Sequence, residues 1–130
     1  MYLISLATIT SLCWNSTGIT VAGQSNIEGA SNEQLNSPAA IAFDATNTVL
    51  YISDSNNNRV QKWILGASTG TTIAGQNDGT NGSSLACLNS PRGIQVDTNG
   101  NVYIADLNNH RVVMWPNGAS VGVLIAGNGM

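Results

Sequence analysis

Charge is scarce in this sequence. Four Lys or Arg and seven Asp or Glu make 8% of its 130 residues charged, against about a quarter in ordinary soluble domains. The four cations, Arg59, Lys62, Arg92 and Arg111, do not cluster, and a groove that tracks phosphates needs several on one face. Nucleic acid is therefore not an expected partner. A single histidine, His110, falls short of the three or four ligands a zinc site needs, so no metal and no cofactor are expected. Two cysteines, Cys13 and Cys87, could pair but make no disulfide framework and show no metal-ligand spacing. The opening run MYLISLATITSLCW is too short to predict a membrane span and lacks the basic start of a secretory leader. It reads as β-forming, with a worn targeting segment as the alternative. No stretch has the apolar spacing of an amphipathic helix. What abounds is glycine, 14 of them, with Asn, Ser and Thr, in a chain that is 42% hydrophobic with a net charge of only -3. That balance excludes disorder and suits a turn-rich β protein with neutral polar loops.

The chain repeats itself. Residues 52–63 read ISDSNNNRVQKW and residues 104–115 read IADLNNHRVVMW. The runs TVAG, TIAG and LIAG end at Gly23, Gly75 and Gly127, in two steps of 52. Between them LNSPAAIAFD (35–44) is matched by LNSPRGIQVD (88–97), displaced by 53. The longer DATNTV turn of the first copy absorbs the extra residue, and insertions confined to turns are the mark of a repeated structural unit.

Apolar residues alternate within each unit: Ile94 and Val96, Val102 and Ile104, Val112 and Met114. A period of two predicts strands, at 91–97, 102–106, 111–115 and 122–126 in the second copy. The breaks TNGN, LNNH and PNGAS carry Asn and Gly residues that suit tight turns. The fold expected is all-β, with four antiparallel strands in each unit of about 50 residues, the pattern of a β-propeller blade. Two blades cannot close a ring, so residues 19–130 are expected to hold two blades and a flanking outer strand near 19–23. Residues 1–18 form an atypical segment, with a partial blade strand as one reading, since LATITSLCW also ends in a tryptophan, Trp14, although three residues out of register with Trp63 and Trp115. The whole is then either a piece of a larger propeller or a protomer that assembles with copies of itself.

The run PRGIQVDTNGNVYIADLNNHRVVMW (91–115) closely resembles the NHL repeat. Pro91, Gly93, Asp97, Gly100, Tyr103, Asp106, Asn109, His110 and Arg111 fall on that pattern. The first copy departs from it, with Ala40 in place of Gly93, Asn47-Thr48 in place of the Asn-Gly turn and Asn58 in place of His110. The resemblance implies six-bladed propellers whose Pro-x-Gly strand is innermost. It leaves the function open among protein binding, RNA binding through a basic face, extracellular sensing and a zinc-dependent lyase branch.

Each candidate site has a plain structural alternative. Asp54 with Arg59, and Asp106 with Arg111, could form a carboxylate site on the rim. Both copies keep the arrangement, whereas a catalytic group is needed once, so a turn cap and ion pair is expected. Asn109 and His110 belong to the same turn, where a hydrogen bond is expected of His110 rather than catalysis. Pro38, Asp44, Pro91, Gly93 and Asp97 lie on the presumed inner strands. The two aspartates could face a central channel and a cation, but two carboxylates do not make that site. Trp63 and Trp115 are expected to pack between blades, with a sugar platform as the alternative. The loop 74–91 differs most from its match at 22–38 and could carry binding, with Leu35 or Leu88 tucked beneath. Asn15 and Asn81 stand in glycosylation acceptor triplets, NST and NGS, which lean slightly towards a secreted chain. The expected function is a non-catalytic module that binds a protein partner, copies of itself or a small molecule or sugar. A metal-dependent lyase or hydrolase in the full ring and a self-assembling blade pair, closing as a trimer, are the alternatives.

Overall fold

The computed structural model describes residues 17–128. It contains eight strands in two four-stranded antiparallel sheets. The first blade comprises β1 (Pro38–Phe43), β2 (Val49–Asp54), β3 (Arg59–Ile64) and β4 (Thr71–Gly75). The second comprises β5 (Pro91–Val96), β6 (Val102–Asp106), β7 (Arg111–Trp115) and β8 (Val123–Ala126). Each sheet runs in chain order, a simple up-and-down meander. Among the described residues no helix is long and apolar enough to cross a membrane.

Local chemistry sets the turns alike in both blades. The β1–β2 hairpin has Asn47 in the left-handed region (φ 56°), and the β5–β6 hairpin has Gly100 there (φ 81°). Asn is among the few side chains that tolerate this conformation, so it serves where the second copy has glycine. Between the second and third strands of each blade, one 3-10 turn (Ser55–Asn57, Leu107–Asn109) ends on a left-handed residue, Asn58 or His110. The ladder between the third and fourth strands shifts register at Val60/Gln61 and at Val112/Val113, the same place in each copy.

Residues 19–23, expected as an outer strand, adopt no strand. Their counterparts in β4 pair with β3, and no described strand lies beside 19–23 to offer that ladder. The segment Trp14 belongs to lies outside the described residues, as do Cys13 and Asn15.

Packing follows from alternation. Leu50 and Ile52 of β2 point one way with Trp63 of β3, in a small core completed by Ala22 and Leu35. Tyr51 points the other way and joins Val60, Ala74, Leu88, Val102, Ile104, Val113 and Trp115 in the main core. That core is the junction between blades, with β5 lying against β1 and β2. Each tryptophan needs a glycine opposite. Gly70 lies under Trp63, and a methyl added at Gly122 would come within 2.8 Å of Trp115. At the outward side of the first blade Ile41 and Phe43 are 61% and 45% exposed. Their counterparts in the second blade, Ile94 and Val96, pack on the junction core.

Candidate functional site

The most elaborate polar constellation is built twice. Asp54 closes β2 and Arg59 opens β3 as its ladder partner, so the turn between them brings the two side chains face to face. Arg59 Nε donates to Asp54 Oδ2 at 2.8 Å, with both side chains fully buried. Asn57 Nδ2 donates to the same oxygen at 2.9 Å, and Asp54 Oδ1 accepts the Asn36 N–H at 2.7 Å. The rest of the guanidinium is used on main-chain oxygens. Nη1 donates to the carbonyls of Ala30 and Asn77, and Nη2 to those of Ser31 and Gln34.

The second blade repeats these bonds almost atom for atom. Arg111 Nε donates to Asp106 Oδ2 at 2.8 Å, Asn109 Nδ2 donates to that oxygen at 2.7 Å, and Oδ1 accepts from the Asn89 N–H. The Arg111 Nη groups donate to the carbonyls of Ser83, Ser84 and Cys87, which correspond to Ala30, Ser31 and Gln34. Asn57 and Asn109 further donate to the carbonyls of Gly29 and Gly82. A buried carboxylate thus holds a buried guanidinium, and both hold the long loop that leads into their own blade. A buried charge pair is tolerable only when its remaining hydrogen-bonding capacity is met, and here the loop carbonyls meet it. All five N–H donors of Arg59 are engaged in this way, and four of those of Arg111 have partners among the described residues.

A second set of bonds crosses between the blades. Ser53 Oγ donates to the Arg92 carbonyl at 2.7 Å, and Ser55 Oγ donates to the Pro91 carbonyl. Asn58 Oδ1 accepts from the Ser90 N–H and its Nδ2 donates to the Gly79 carbonyl. Sequence reasoning missed these three residues. Their signal was available as the places where the copies differ, since Ala105, Leu107 and His110 stand at the matching positions. The His110 imidazole is exposed and makes no hydrogen bond to a described residue; its backbone N–H donates to the Leu107 carbonyl.

Asp44 and Asp97, one residue past β1 and β5, turn into their own hairpins. Asp97 Oδ1 accepts from the N–H groups of Asn99 and Asn101, and Oδ2 from Asn101 Nδ2. Asp44 Oδ1 accepts from the N–H groups of Thr48 and Val49. The Asn101 side chain, then its backbone N–H, draws the Asp97 carboxyl below its ordinary value of 3.8; the Thr46 hydroxyl does most to lower Asp44. Because the folded value lies below the unfolded one, this stabilisation is present above pH 3.8 and is lost as pH falls through the lowered folded value. Asp97→Asn is therefore expected to be less stable than wild type at pH 7. The gap in melting temperature should close as the pH drops below that range; a gap that stays constant to pH 2 (a limit set about two units below the ordinary carboxylate value) would refute the charge's role.

Among the described residues no three His, Cys, Asp or Glu side chains gather as metal ligands. Trp115 sits in the junction core and Trp63 in the smaller one, with indole N–H groups donating to the Ala119 carbonyl and to Gln61 Oε1. Gln61 Nε2 is buried without a partner. Pro38 is exposed and Pro91 is buried at the junction, while Gly93 is exposed. Asn81 is exposed on the loop between the blades.

Two four-stranded antiparallel blades, each gripping its lead-in loop by an Asp–Asn–Arg clamp, define a β-repeat protein of blade type. The comparisons make this specific. The NHL repeat profile matches residues 35–63 and 88–121, which contain both clamps. NHL repeat-containing protein 2 of Gallus gallus is 33% identical over 93 residues, 67% of this chain and 13% of that protein. The proteins of the same name from Bos taurus and Homo sapiens are 33% and 31% identical over 86 residues, 62% of this chain and 12% of each. The chain is an NHL-repeat protein, and it spans about one eighth of the length of the curated relatives it matches.

Proposed function

We propose that the chain is a non-catalytic interaction module whose two NHL blades belong to a larger propeller, with protein partners met on its loops and composite faces. The observation that carries this reading is the contrast between spent and open surfaces. The repeated Asp–Arg pairs are spent in holding loops to blades. Among the described residues, apolar side chains stay exposed or half-exposed on the outward side of both blades: Ile41 and Phe43 on the first, Ala105 with the half-buried Tyr103, Val112 and Met114 on the second. Packed sheet faces of this kind are built to receive neighbours. The loop 76–90, with Asp78, Thr80 and Asn81 exposed, adds a neutral polar surface suited to hydrogen bonding.

Light scattering on a sizing column, over a series of concentrations, tests the reading. A monomer, or weak self-association that dilution reverses and that Ile41→Ser with Phe43→Ser suppresses, supports blades that lack their neighbours. A species near three times 13.5 kDa that survives dilution would replace it with a ring closed by copies of this chain.

A further inference from the structure

Between the two blades there lies a cavity of about 610 Å³. That is the size of a small-molecule site. Its floor is apolar, made by Tyr51, Val102 and Trp115, all buried. Its rim is polar, with Lys62, Thr71 and Thr72 on the first blade and Asn117 on the second.

Two observations separate this cavity from a simple gap. The first comes from the repeat. Lys62 pairs with Thr71 and Gln61 with Thr72; at the same register of the second blade Met114 pairs with Val123 and Val113 with Leu124. The blade architecture accepts apolar residues at all of these positions, so the polarity around the cavity is an addition that the fold does not require. The second is the charge. Arg59 and Arg111 are spent in their clamps, and Arg92 does not line the cavity. Lys62 does line it, forms no ion pair with a described residue, and lies 6.0 Å from the centre of the Tyr51 ring. The Thr71 hydroxyl beside it makes no hydrogen bond to a described residue. Burial first, and then the nearby Asp44 charge, push the Tyr51 phenol above its ordinary value, so the wall next to Lys62 stays neutral. The indole N–H of Trp115 already donates to the Ala119 carbonyl, which leaves the ring to contribute apolar surface.

We infer that this cavity is a binding site for an aromatic carboxylate. The carboxylate accepts from Lys62 Nζ and the Thr71 hydroxyl, and the flat body lies against Tyr51 and Trp115. A charge-assisted hydrogen bond at a half-dry rim gives orientation, and the aromatic floor gives contact area. The site lies wholly within the two blades present here, so it stands or falls independently of any larger ring.

The test is a site-resolved NMR titration of the whole chain with 3-phenylpropionate, its neutral amide and N-acetylphenylalanine. Saturable shifts are expected at the Thr71 and Thr72 amides and the Trp115 indole N–H with the acids. The amide should bind at least about tenfold more weakly, as the loss of a charge-assisted bond implies. Lys62→Met installs the residue the second blade carries at this register and should keep the fold, which the unliganded spectrum checks; it should bind acid no better than amide. N-acetylphenylalanine binding about tenfold more tightly than 3-phenylpropionate would identify the ligand as a polypeptide C-terminus, and the reverse order as a free aromatic acid. No saturable shift by about 10 mM acid, equal binding of acid and amide, or undiminished acid binding by a folded Lys62→Met would overturn the inference.

Discussion

Arg59→Ala is expected to destabilise the chain by about 3–5 kcal/mol, the range for breaking one side of a buried ion pair. Asp54 is fully buried and would keep only the Asn36 N–H and the Asn57 amide to balance its charge. Four loop carbonyls, those of Ala30, Ser31, Gln34 and Asn77, would lose a donor at the same time. Arg59→Lys should recover only part of the loss. An ammonium is a point charge and cannot serve a carboxylate and two pairs of carbonyls from one plane. Urea unfolding followed by circular dichroism measures both variants. A loss below about 1 kcal/mol for Arg59→Ala would place the pair in the class of exposed surface bridges and sink the account of the clamp given above.

Leu88→Ala should be the most damaging single truncation of an aliphatic side chain outside the strands, at about 2–5 kcal/mol. Leu88 is on the loop between blades yet fully buried, within the core that Tyr51, Val60 and Ala74 share with Val102, Ile104, Val113 and Trp115. Its removal opens a cavity where the two blades meet and loosens the loop that Arg111 holds. Unfolding is then expected to lose its cooperativity, with separate transitions for the two blades, since repeat stability is the sum of unit and neighbour contributions. Leu35→Ala is the control, because Leu35 is only half-buried and should cost less. Equal losses at the two leucines would mean that the junction contributes nothing beyond ordinary burial.

Strand limits are legible in this sequence where burial alternates along the strand, as in β6 and β7, and less so in β2, buried on both faces, or β8, exposed throughout. Residues 102–106 and 111–115 are strands as their alternation predicts, and the strand expected over 122–126 begins one residue later at Val123. Gly122 is the reason: it is the residue pressed against Trp115, a close approach that no period of two encodes. The turn between second and third strands is legible as a break, but not as a 3-10 turn ending on a left-handed residue. The bonds across the junction are harder still. Ser53 and Ser55 find their partners at Arg92 and Pro91, far along the chain, so no local spacing announces them. The cavity is equally silent in one dimension, because Lys62 and Thr71 become neighbours only through the β3–β4 ladder. Comparing the two copies position by position recovers some of this, since Ser53, Ser55, Asn58 and Lys62 are all places where the second copy has another residue.

The clamp reads the path of the loop and is blind to its spelling. Arg59 and Arg111 take hold of main-chain oxygens, which every residue type presents alike. The middle of the lead-in loop can therefore drift, from SNIEGASNEQ in one copy to NDGTNGSSLAC in the other, and still be gripped at matching points. A scaffold that fixes backbone and leaves side chains unconstrained is one on which new recognition can be written without rewriting the fold. In this chain the arginine that holds the blade together is also what makes the neighbouring loop free to evolve.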